Sequence, residues 1–141
     1  MRHILQRELP KPVLDAVTLT TTRTSDAFSA AGYNMVSVYV TFVKSGSTTL
    51  DGLTMQLQSN LQEDSNFFAE TEEGASTPNT VAVNPDGRLY DYFEEDTPAD
   101  GTHRFVEHIP VNTTNNCQLV VTPANGLAAD LFTARIVLSA Q

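Results

Sequence analysis

Carboxylates are the most concentrated reactive groups in this 141-residue sequence. Asp91, Glu94, Glu95, Asp96 and Asp100 fall within one short run. Two carboxylates flanking a sugar bond make a glycosidase, one acting as acid and the other as base or nucleophile. That chemistry needs a cleft and usually aromatic platforms, and the chain has no Trp. Tyr90 and Tyr92 could serve, but their alternation with Asp91 reads as a strand covering a sheet face. A solvated acidic rim is therefore expected. A second cluster, Asn60-Leu-Gln-Glu-Asp-Ser-Asn66, sets Glu63 and Asp64 beside amides and a hydroxyl. Calcium takes such oxygen ligands, but the segment lacks the spaced acids and central glycine of an EF-hand loop. Asn and Asp also stabilise turns by bonding their own backbone. The segment is expected to be an exposed connection, and no metal site is assigned to it.

The remaining reactive side chains are few. His103 and His108 stand five apart, which places them on opposite faces of a strand. Together with His3 they are the only histidines, and neither a His-x-His nor a Cys-x-x-Cys pair is present for zinc. Cys117 is the single cysteine, so no intrachain disulfide can form. It precedes Gln118-Leu-Val-Val121 and reads as a small buried hydrophobe, not an activated nucleophile. No glycine-rich phosphate loop and no basic-aromatic stripe for nucleic acid appears. A non-enzymatic protein without a cofactor is the expectation.

Charge is distributed unevenly. The formal net charge is −9, yet residues 1–23 carry Arg2, Arg7, Lys11 and Arg23 against Glu8 and Asp15. Residues 51–107 hold thirteen carboxylates against Arg88 and Arg104, a net of −11. Such a body repels nucleic acid and anionic membrane, so neither is an expected partner. The N-terminus has no apolar run suited to a signal peptide, and no later segment is long and apolar enough to span a bilayer. A chain made and kept in a cytosol, or assembled from one into a particle, is expected.

The elements that would position these residues are strands. Val36, Val38, Val40 and Phe42 alternate with Ser37, Tyr39 and Thr41, and Leu53, Met55 and Leu57 alternate with Thr54, Gln56 and Gln58. Each segment is a half-buried strand by its period of two, and the two are expected to form one antiparallel hairpin. Phe67 to Thr71 should follow as a third strand. Thr80 to Val83 and Leu89 to Phe93 should pair across Asn84-Pro-Asp-Gly87. Further strands are expected at Val17 to Leu19, Arg104 to Ile109, around Leu119 and Val121 with Pro123 closing it, and Phe132 to Leu138. Only Gly126 to Leu131 could make a helical turn. The pattern predicts an all-β fold: a single antiparallel β-sandwich, jelly-roll-like, over residues 16–141, with an extended N-terminal arm over 1–15. Pro10 and Pro12 hold that arm extended. Ile4, Leu5 and Leu9 are unusual on a free tail. The arm is therefore expected to order against another subunit, with those three as anchors and Arg2 and Arg7 facing carboxylates.

At Val36-Ser-Val-Tyr-Val-Thr-Phe42, Leu53-Thr-Met-Gln-Leu-Gln-Ser-Asn60, Asn66-Phe-Phe68 and Phe132-Thr-Ala-Arg-Ile-Val-Leu-Ser139, the chain resembles small β-sandwich virion proteins of tailed bacteriophages. The resemblance covers about residues 34–71 and 118–139. It implies a virion structural protein, a capsid decoration or neck component, whose partners are capsid or other virion proteins and further copies of itself. The same pattern is similar to galactose-binding-like sugar modules. That likeness implies an alternative role as a carbohydrate- or receptor-binding module of a fibre or enzyme. Those modules commonly carry a Trp after the loop, where Phe67 and Phe68 stand here.

Overall fold

The computed structural model describes residues 5–44, 52–60, 66–69, 80–83, 101–111, 116–124 and 130–140. These residues form two antiparallel sheets. The first contains β1 (Leu5–Glu8), β2 (Leu14–Thr18), β5 (Met35–Lys44), β9 (Gly101–Pro110) and β11 (Leu131–Ala140). The second contains β3 (Arg23–Thr24), β4 (Phe28–Ser29), β6 (Gly52–Asn60), β7 (Phe67–Ala69), β8 (Thr80–Val83) and β10 (Asn116–Ala124). Three pairs of short strands lie end to end along one neighbour: β1 and β2 on β11, β3 and β4 on β10, β7 and β8 on β6. Each sheet is thus four strands wide, β1/β2–β11–β5–β9 and β3/β4–β10–β6–β7/β8.

The interior follows from the period of two. Val36, Val38, Val40 and Phe42 of β5 are buried with Phe132, Ala134, Ile136 and Leu138 of β11. Met55 and Leu57 of β6 and Cys117, Leu119 and Val121 of β10 join them in the same apolar cluster. Each fully buried aliphatic or Phe side chain contributes about 1.5–3 kcal/mol, which sets the register: a one-residue slip would expose a whole row. Cys117 is buried as its apolar context predicts. The described residues contain no helix long and apolar enough to cross a membrane.

Two sequence expectations are corrected. The strands over Val36–Phe42 and Leu53–Leu57 do not form a hairpin. β5 pairs with β11 and β9, whereas β6 pairs with β10, β7 and β8. Alternation shows that each strand has one apolar face. It does not say whether two such faces lie side by side in one sheet or meet across the interior, as these do. β8 pairs with β6 through Val81↔Met55; the hairpin expected between Thr80–Val83 and Leu89–Phe93 lies outside the described residues. Second, Pro123 does not close its strand but pairs with Leu53 inside β10. It falls beyond the last β10–β3 pair, Val121↔Arg23, where no described strand lies on its other side and a missing N–H costs little. The possible helical turn before Leu131 falls mostly outside the described residues.

The breaks in the edges have local causes. Between Leu14↔Ala134 and Val17↔Phe132 the pairing shifts, so Asp15 and Ala16 oppose the single residue Thr133. Ala16 takes a left-handed φ of 46°, and its N–H donates to Thr133 Oγ1 at 2.9 Å. That is a β-bulge. Ser25 separates β3 from β4 while still holding β10: its N–H donates to the Leu119 carbonyl and its Oγ accepts from the Leu119 N–H, both at 2.8 Å. Arg23 Nε donates to the Thr18 carbonyl at 2.8 Å, tying the start of the second sheet to the end of β2.

Candidate functional site

Outward positions on the first sheet are built by the same alternation that builds the core. The turn Ala30-Ala31-Gly32-Tyr33 closes with Tyr33 N–H donating to the Ala30 carbonyl at 3.1 Å. Gly32 supplies the positive φ, 87°, that the third position of a type II turn needs. The turn delivers the chain into β5 between two neighbours already in register. Asn34 N–H donates to the Ser139 carbonyl, and the Asn34 carbonyl accepts from Val111 N–H, each at 3.0 Å. From there Met35, Ser37 and Tyr39 face away from the core.

Register then assembles a surface from four strands. Ser37 lies between Val137 of β11 and His108 of β9. Met35 lies beside Ser139, and Ser139 beside Gln6 of β1. Tyr39 lies between Arg135 and Val106. The serines are small and buried among larger neighbours, so the sheet is dented there. The depression has a volume of about 390 Å³ and is lined by Gln6, Met35, Ser37, Tyr39, His108, Val137 and Ser139. Tyr39 stands 47% exposed at its side and Val106 is exposed next to it.

Ser37 Oγ and His108 Nδ1 share a hydrogen bond of 2.6 Å. A Ser–His couple is the core of a nucleophile–base pair, so its surroundings decide its meaning. A catalytic couple needs an acid to orient the imidazole and N–H donors for an oxyanion. Among the described residues no carboxylate lines the depression. Glu8, in the same cross-strand row, is separated from His108 by β11 and β5, roughly 14 Å at strand spacing. Ser37 is a central-strand residue paired on both sides, so ladder pairing occupies the backbone around it. Here the bond is a cross-strand side-chain pair that fixes the His108 ring and leaves Nε2 for a ligand.

The outer face of the second sheet differs in kind. Gln118 Nε2 donates to Gln58 Oε1, and Gln58 Nε2 donates to Gln56 Oε1, each at 2.7 Å. Asn60 Oδ1 accepts from the Asn116 N–H at 3.2 Å. These amides largely satisfy one another.

The residues expected to dock the arm are placed as follows. Leu5 and Arg7 are exposed in β1, opposite Ala140 and Leu138 of the domain's own β11. Leu9 packs against the domain's own core, and its N–H donates to the Ile136 carbonyl at 3.0 Å. Arg2 and Ile4 lie outside the described residues, as do Glu63, Asp64 and the acidic run from Asp91 to Asp100. The boundary expected between residues 15 and 16 runs through β2. His103 and His108 do occupy opposite faces: His103 pairs with Phe42, its ring 6.2 Å from the Phe42 ring, and His108 pairs with Ser37. Among the described residues, no three His, Cys, Asp or Glu side chains come together as a metal site would need.

Sequence reasoning put Ser37 and Tyr39 on the solvent face but did not single out the dent. Its walls come from residues 6, 35–39, 108 and 137–139, which only strand order brings together. Comparison with protein-family models and with curated proteins finds no match to the chain.

Proposed function

We propose that this chain is a non-enzymatic structural protein of a tailed-phage virion, a capsid decoration or neck component that binds the particle and neighbouring copies of itself. The observation that supports this reading is the strand order. With each end-to-end pair counted as one strand, the described strands occupy eight positions. They cross from one sheet to the other at every step except the fourth to the fifth, so that the first, eighth, third and sixth lie side by side, as do the second, seventh, fourth and fifth. That order supports reading the sandwich as a jelly roll, an architecture recurrent in viral capsid proteins. A fold of this kind serves other functions too, so the resemblance at Val36–Phe42 and Leu53–Asn60 supplies the specific direction.

The N-terminal segment gives this reading a contact. β1 is exposed at all four residues, and Leu5 is 61% exposed at an edge where a neighbour can reach it. Because Leu9 packs into its own domain, Leu5 and Arg7 are the described residues left to meet a partner. The test is whether particles of the phage that encodes this chain contain it. Mass spectrometry and immunogold labelling should find it in many copies at the head surface or neck. Leu5→Asp should leave the melting temperature nearly unchanged and weaken binding to particles lacking the protein by about tenfold or more. Particles without the chain would refute the proposal.

A further inference from the structure

We infer that the depression on the outer face of the first sheet is a binding site for a neutral saccharide of mono- or disaccharide size. Its volume of about 390 Å³ lies within the range of small-ligand pockets, about 300–1,000 Å³. The chemistry of its walls selects the ligand. Among the described residues no Lys, Arg, Asp or Glu lines it, so none of them selects an anion or a cation there by fixed charge. The polar groups are neutral and of mixed sense: the Gln6 amide donates and accepts, the Ser139 hydroxyl does both, and His108 offers its second ring nitrogen. A sugar hydroxyl both donates and accepts and matches such a set.

Apolar surface completes the match. Tyr39, Met35 and Val137 lie beside those polar groups on the same wall. A pyranose has one face of C–H groups, which are attracted to the negative face of an aromatic ring. Tyr39 is nearly half exposed on a central strand, where its backbone is held on both sides. His108 is held by Ser37 at 2.6 Å. Groups fixed on rigid strands lose little freedom on binding, which favours a shallow site. The inference stands apart from the virion reading, because a particle protein and a free module could each carry such a site.

The test is a titration of the isotope-labelled chain, followed by amide NMR, with glucose, galactose, N-acetylglucosamine and their β-linked disaccharides, each up to about 50 mM. At least one sugar should shift amides of β1, β5, β9 and β11 saturably, with a Kd of about 1 mM or tighter. Tyr39→Ala should weaken that binding at least tenfold while the spectrum of the folded core persists. Tyr39→Phe should keep most of it, and Gln6→Ala and His108→Ala should each weaken it about threefold or more. Gln58→Ala, on the opposite sheet, should change nothing. Absence of saturable shifts with every sugar in the panel would overturn the inference. So would shifts mapping to β6 and β10, or undiminished binding by Tyr39→Ala.

Discussion

The two sheets share one core and differ on their outer faces. On β6 and β10 the outward row is Gln56, Gln58 and Gln118, whose amides bond one another. On β5, β9 and β11 the outward row mixes Tyr39, Val106, Val137 and Met35 with serines and a histidine, and it is dented. An amide ladder that spends its donors and acceptors internally has little left for a ligand, and none of these three side chains is aromatic. A face with an exposed ring beside neutral polar groups has both. Architecture is common to the two sheets, so the difference resides in which side chains fill the outward half of each alternation.

The largest effect should show where the sheets do not differ. Val38→Asp on β5 and Leu57→Asp on β6 each place a charge at a fully buried position. Each should destabilise by about 3 kcal/mol or more in urea unfolding, whichever sheet it sits on. Thr54→Asp, exposed beside them, should change stability by no more than about 0.5 kcal/mol. If Leu57→Asp proves mild, the second sheet does not share the core and the comparison fails at its base.

Smaller effects should separate the outer faces. Gln58→Ala removes the middle of the ladder and Ser37→Ala removes the partner of His108; each should cost about 1 kcal/mol. Double-mutant cycles should find coupling of about 0.5–1 kcal/mol for Gln58 with Gln118 and for Ser37 with His108. Coupling between Gln58 and Ser37, on opposite faces, should vanish within error. A measurable cross-face term would mean that the core transmits between the faces.

The smallest effect concerns the border of the dented face. Ala16 bears a Cβ at a φ of 46°, where glycine is the relaxed residue. Ala16→Gly should therefore stabilise the chain slightly, by about 0.5 kcal/mol, provided relief of strain exceeds the added freedom of the unfolded chain. A loss in thermal unfolding would show that the bulge holds Ala16 without strain.

Much of the fold could be read from residue order. The alternations at Val36–Phe42, Met55–Leu57, Leu119–Val121 and Ile136–Leu138 mark the buried face of each strand, and all of those residues are buried. The false hairpin between β5 and β6 shows the limit. A period of two carries the facing of a strand but not its neighbour. The arm shows a second limit. Pro10 and Pro12 do interrupt pairing, yet on both sides of them the chain returns to β11: Leu9 N–H bonds the Ile136 carbonyl and Val13 N–H the Ala134 carbonyl. Local rules that break a strand do not prevent two pieces from sharing one edge.

The sequence alone determined that this chain is all-β with one apolar core, because period-two alternation is a local property that hydrophobic burial enforces strand by strand. It also determined that Ser37 and Tyr39 face outward and that His103 and His108 part company. Only the tertiary structure decided that Ser37 meets His108, 71 positions away, and that Gln6, Tyr39 and Ser139 border one depression. Those meetings depend on which strands lie side by side. That choice rests on the fit of whole apolar faces across the interior, a sum over many distant residues that no short stretch contains.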